Sequence, residues 1–155
     1  MPTDPADIRA FQRLDSRTTT SGRLRDEDLD ALSAIGVRHV VNLALASHPE
    51  ALADETAKLA ALGIGYTHIP VPFDDPRDNH YLAFAEALAS ADGAPIHVHC
   101  IMNYRVSAFF YRWHREIAGM DESSARALLI RQWDPQTSDR KEARAWAEFL
   151  AKTGI

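Results

Sequence analysis

Cysteine is nearly absent from this chain of 155 residues: Cys100 is the only one, alongside seven glycines. A lone cysteine excludes an intrachain disulfide framework and makes a reducing compartment the expected one. No apolar run approaches the roughly 20 residues needed to cross a bilayer, and the polar stretch Met1-Pro2-Thr3-Asp4-Pro5 offers no apolar signal region. The expectation is therefore a cytoplasmic protein with no membrane partner. Positive charge is also short. Seventeen Lys and Arg against 22 Asp and Glu leave a formal net charge of −5, so nucleic acid meets no global attraction and is not an expected partner. Any anion must be drawn in by local groups.

Hydrophobic residues make up 46% of the chain, enough for one globular domain over residues 1–155 with a buried core. The pattern alternates strand and helix. Asp26 to Ile35 has helical apolar spacing, acids in its first turn and Gly36 as a stop. Val37 to Ala44 is a β-branched run, Pro49 to Leu62 a helix closed by Gly63, and Gly65 to Val71 a second strand. After a loop at residues 72–78, Asn79 to Ala91 reads as a helix with Asp78 as its N-cap. Ala94 to His99 is a strand, Tyr104 to Ala118 a helix, and two further helices, about Asp121 to Gln132 and Ser138 to Lys152, end the chain without another strand. Ser16 to Gly22 reads as a polar loop after an N-terminal strand or extended arm. The order predicts an α/β fold: a single domain with a largely parallel central sheet flanked by helices.

Cys100 falls where the cysteine strand meets the next helix, at the carboxyl end where ligands bind in such sheets. There a cysteine meets the exposed amides and positive dipole end of the helix, which favour a thiolate and a bound oxyanion. The amides of Ile101, Met102, Asn103, Tyr104, Arg105 and Val106 are the expected anion-binding groups. Arg105 supplies a planar fork for phosphate or sulfate. His97 and His99 share one strand face by period two; no third ligand has suitable spacing, so no metal is expected, and His99 is expected to orient the loop by hydrogen bonding. Phe109, Phe110, Tyr111 and Trp113 read as core, and Phe73 as a pocket wall.

Several segments, taken in order, carry a family likeness. They are Thr20-Ser21-Gly22-Arg23 leading into Asp28-Leu29 and Leu32, Gly36-Val37-Arg38-His39-Val40-Val41-Asn42-Leu43, His68-Ile69-Pro70-Val71, and Val98-His99-Cys100 with a downstream arginine and hydroxyl. Over roughly residues 10–118 the chain resembles the bacterial protein-tyrosine/dual-specificity phosphatases, the cysteine-dependent phosphatase family. The resemblance implies a phosphate-binding loop between strand and helix, and phosphoryl transfer in two steps without a cofactor. Cys100 would attack phosphorus, loop amides and an arginine would hold the equatorial oxygens, and an aspartic acid would protonate the leaving oxygen. For that acid the loop before the cysteine strand's preceding helix offers Asp75 first and Asp74 second. Arg23 and Arg77 add positive charge.

The family motif places five residues between cysteine and arginine, a glycine three after the cysteine and a hydroxyl seven after. Here Ile101, Met102, Asn103 and Tyr104 alone intervene, so Arg105 comes one position early, yet Ser107 keeps the hydroxyl position. Asn103 stands at the glycine position and tolerates left-handed backbone. One residue of shift at a helix start turns a side chain by about 100°, which makes the aim of Arg105 the open point. The expected catalytic set is Cys100, Arg105, Asp75, Asp74, Ser107 and His99, acting on a phosphorylated substrate or a phosphate or sulfate anion. The short spacing also resembles rhodanese-like sulfurtransferases, and a catalytically silent phosphate-binding or protein-interaction module is the third alternative. The substrate and the oligomeric state stay open at this point.

Overall fold

The computed structural model describes residues 3–152; Met1, Pro2 and residues 153–155, the ends of the expected domain, lie outside the described residues. Strands β1 (Gln12–Arg13), β2 (Thr18–Ser21), β3 (His39–Asn42), β4 (Gly65–His68) and β5 (Ile96–His99) form one sheet in the order β1-β2-β5-β3-β4. Only β1 runs antiparallel to its neighbour; the other pairings are parallel. β5 is thus the central strand, flanked by β2 and β3, with Ser21 and Asn42 both level with His99.

Helices cover both faces, as the period-two strands require. Val40 faces a smaller core with Leu29 and Leu32 of α1 (Asp26–Ala34) and Leu59 of α2 (Glu55–Ala61). Val41 and Val98 face the larger core, built with α3 (Asp78–Ser90), α4 (Tyr104–Glu116), α5 (Glu122–Leu129) and α6 (Ala143–Ala151). The aromatic residues of α4 belong to this larger core, where Phe84 meets Phe109 and Phe110 edge-on at centroid distances of 5.4 and 5.0 Å.

Four local expectations need correction, the simplest being that the last helix, α6, starts at Ala143 rather than Ser138. Residues 16–22 are not a polar loop: Thr18–Ser21 is the strand β2, paired in parallel with β5. Its hydroxyls are satisfied inside the protein, since Thr19 Oγ1 and Ser21 Oγ each lie 2.8 Å from a ring nitrogen of buried His97. β-branched threonines then favour the extended chain. The second helix starts at Glu55 rather than Pro49, because tight turns occupy the amides of His48 and Ala51, and Asp54 has left-handed backbone with φ of 54°. Arg77 rather than Asp78 takes the cap position of α3, and His80 Nδ1 accepts the Arg77 N–H at 3.2 Å.

Two measurements check this packing. Phe84→Ala should cost about 3–5 kcal/mol in urea unfolding, the usual range for emptying a buried aromatic site. His97, held well below the ordinary histidine value of 6.5 first by burial and then by nearby His99, stays neutral in the fold. The unfolded chain takes up that proton and the fold does not, so stability is complete above about 6.5 and should fall as pH drops below it. A pH series of denaturation midpoints checks this sign.

Candidate active site

The carboxyl end of β5 is pinned before the chain turns. Leu43 N–H donates to His99 O at 2.9 Å, Cys100 N–H to Ser21 O at 3.3 Å, and Arg23 N–H to Ile101 O at 2.9 Å. Asn103 then takes the left-handed conformation, with φ of 67° and ψ of 9°, that a glycine would otherwise supply. Its side-chain NH₂ donates to Ala10 O at 2.9 Å and Thr20 Oγ1 at 3.0 Å, so the turn is tied to the N-terminal segment and to β2. Gly22 closes the same corner: a Cβ there would lie 2.5 Å from Ile101 O.

From Ile101 to Val106 no backbone N–H has an acceptor among the described residues; the first paired amide is that of Ser107, which donates to Asn103 O at 3.0 Å. Six consecutive free donors lead into the 13-residue α4, an arrangement of amides and helix dipole of the kind that favours a bound anion. Of these residues Ile101, Met102, Tyr104 and Arg105 line a cavity of about 340 Å³, together with Leu45, Ser47, His48, Phe73, Cys100 and Arg140. No carboxylate lines it, although acids outnumber bases in the chain. Cys100 has no exposed surface of its own, so this cavity is the approach to its thiol.

The early arginine reaches the site. Arg105 borders the cavity with Cys100, donates from one terminal nitrogen to Val71 O at 2.9 Å, and lies 5.7 Å from the Phe73 ring centroid. Its other guanidinium nitrogens have no acceptor among the described residues. Val106, where the family's arginine would stand, is fully buried in the larger core. The single-residue turn of the helix therefore puts position 105 on the cavity side and position 106 in the larger core.

Behind the loop, His99 Nε2 donates to Glu55 at 2.6 Å, with both side chains buried, and His99 Nδ1 lies 3.3 Å from Cys100 O. Asn42 donates to Glu55 at 3.4 Å and to the Tyr66 hydroxyl at 3.2 Å. Burial, opposed by the Asn42 bond, pushes that hydroxyl up to about 12, so it stays neutral. His97 is stacked on His99 at 6.4 Å, and among the described residues no group of three or more His, Cys, Asp or Glu gathers as a metal site.

The remaining expected residues do not meet in the cavity. Asp74 and Asp75 are exposed on the loop just after Phe73; Asp75 pairs with Arg77 at 2.8 Å, whereas Asp74 has no ion-pair or hydrogen-bond partner among the described residues. Ser107 donates its hydroxyl to Tyr104 O at 3.1 Å and borders a small hollow with Gln12 and Thr20, away from the Cys100 cavity. Arg23 is engaged by Glu50 at 3.1 Å, and Arg9 above all, with Arg23, holds that carboxyl down to about 2. Four cavity residues escaped the sequence reading: Leu45, Ser47 and His48, from the turn after β3, and Arg140, from the segment before α6. None sits in a motif; they are brought in by two separate loops.

No protein-family model matches the sequence, and no curated protein does. Among solved structures, a DUF442 protein from Shewanella putrefaciens, described as a candidate phosphatase, shares 27% identity at a TM-score of 0.79, covering 96% of this chain and 93% of that one. The chain has the protein-tyrosine phosphatase-like fold. TpbA of Pseudomonas aeruginosa, solved in complex with phosphotyrosine, shares this fold at 18% identity and a TM-score of 0.70, covering 92% of this chain and 83% of that one. PTPMT1, solved in complex with PI(5)P, does so at 14% and 0.70, covering 90% and 94%. In this phosphatase-like fold the loop between the central strand and α4 is the cysteine loop described above.

Inorganic phosphate or sulfate should raise the melting temperature of the protein with increasing dose, by about 2–4 °C per kcal/mol of linked binding. Gly22→Ala should weaken that response, because its Cβ displaces the Ile101 carbonyl and with it the free amides; differential scanning fluorimetry with an anion titration reads both.

Proposed function

We propose that the protein is a cysteine-dependent phosphatase that hydrolyses phosphate monoesters through a phosphocysteine intermediate. The observation that supports this reading is the meeting, at one cavity without a carboxylate, of Cys100, Arg105 and a run of unpaired amides of which Ile101, Met102, Tyr104 and Arg105 line that cavity. The amides and the guanidinium receive the nonbridging oxygens, where charge concentrates during transfer. Cys100 attacks as the thiolate; the S–P bond forms as the P–O bond to the leaving group breaks. Water then attacks the phosphocysteine, releasing phosphate and restoring the thiolate.

The leaving oxygen needs a proton. Asp74 is the acid favoured in this reading, since it follows the cavity residue Phe73 directly and its carboxyl is free, while Asp75 is occupied by Arg77. His99 acts on Cys100 by position, through its bond to Glu55. Ser107 acts on the loop through the Tyr104 carbonyl.

Cys100→Ser should abolish turnover of p-nitrophenyl phosphate. Arg105→Lys should lower kcat/KM by about 10²-fold or more, the roughly 2.7–4 kcal/mol associated with losing one transition-state donor. A thiosulfate:cyanide assay run in parallel should be negative; positive sulfur transfer without phosphatase turnover would overturn the proposal in favour of the sulfurtransferase reading. For the acid, Asp74→Asn should slow phenyl phosphate far more than p-nitrophenyl phosphate, whose leaving group needs little protonation, and Asp75→Asn should not discriminate. The reverse pattern would return the role to Asp75.

A further inference from the structure

Arg140 is the cavity residue that the phosphatase reading leaves unused. It comes from the segment between α5 and α6, far in sequence from the cysteine loop, and is exposed. Its guanidinium carbon lies 5.1 Å from the centroid of the Tyr104 ring. That ring is itself stacked on Trp133 at 4.7 Å with an interplanar angle of 9°, and Trp133 Nε1 donates to Tyr104 O at 3.0 Å. The arginine therefore rests on a rigid aromatic platform built on the first residue of α4.

Arg140 has no carboxylate or carbonyl partner among the described residues, and no acid lines the cavity it borders. A single phosphate is already served by Arg105 and the loop amides. Two separate cations on one carboxylate-free cavity, with the Phe73 and Tyr104 rings in its wall, fit a ligand with two anionic groups and an apolar portion.

We infer that the cavity selects phosphate monoesters bearing a second anionic group, which Arg140 receives while the cysteine loop holds the scissile phosphate. This rests on the phosphatase reading for the first anion, and Arg140 acts in specificity rather than in the chemical steps. A carboxylate or a second phosphate presents the same oxygens to the guanidinium fork.

The test measures binding without turnover, in protein carrying Cys100→Ser. Isothermal titration compares 4-carboxyphenyl phosphate with its neutral isostere, 4-carbamoylphenyl phosphate. The carboxylate should bind about fivefold more tightly, the scale of one well-placed exposed ion pair, and the preference should shrink as salt rises. Added Arg140→Gln should bring the ratio close to one, and Arg140→Lys should retain part of it. Equal affinities in the parent, or a preference that survives Arg140→Gln, would overturn the inference; should the Gln variant fail to fold, the Lys variant and the salt series decide. Failure of wild-type protein to hydrolyse p-nitrophenyl phosphate, with the carboxylate preference intact, would instead sink the phosphatase reading and leave Arg140 its role in binding.

Discussion

Backbone amides that find no acceptor are costly wherever water is restricted, and this chain gathers six of them, Ile101 to Val106, at the end of its central strand. The rest of the architecture can be understood as holding them in place. Parallel neighbours on both sides fix the end of β5, and the left-handed turn at Asn103 lets the chain reverse into α4 without spending those donors on its own carbonyls. The amphipathic α4 then buries its other face in the larger core, which anchors these amides to the most heavily packed part of the molecule. The site is thus preorganised by the same contacts that stabilise the fold.

The layer beneath the loop is polar and buried. Glu55 opens α2, His99 ends β5 and Asn42 ends β3, so one hydrogen-bonded cluster joins three elements directly behind Cys100. A second cluster, His97 between Thr19 and Ser21, binds β2 to β5. Both are satisfied networks in a restricted dielectric, where each lost partner leaves a buried polar group behind. Their common effect is to fix register along the central strand, and register determines where the cysteine emerges.

Much of this was legible in the sequence because it rests on local pattern. The β-branched runs, the stops at Gly36 and Gly63, and the strand–cysteine–helix order point to a parallel α/β sheet with the site at a strand end. Asn103 as the left-handed residue was legible too, from its tolerance of positive φ. The strand at Thr18–Ser21 was hidden because its polar side chains look solvated until His97, distant in sequence, supplies their partners. The aim of Arg105 was open because it depends on whether position 105 or 106 meets the core, a matter of helix phase set by tertiary packing; the packing buries Val106. His48 and Arg140 converge from separate loops, and nothing in their local sequence marks the cavity they share.

The segment before β2 ordinarily passes for a dispensable leader to the sheet. Here its backbone is part of the wall around the cysteine loop: Arg9 O accepts the Gly22 N–H at 2.7 Å, Arg9 reaches Ile101 O at 3.4 Å, and Ala10, itself at φ of 53°, presents its carbonyl to Asn103. The cysteine loop is therefore assembled from both halves of the chain and is fully braced only when residues 9 and 10 have docked. A proteolytic nick near residues 9 and 10 is accordingly a change to the site, and in vectorial synthesis these residues wait without their partners until the cysteine loop itself has been made.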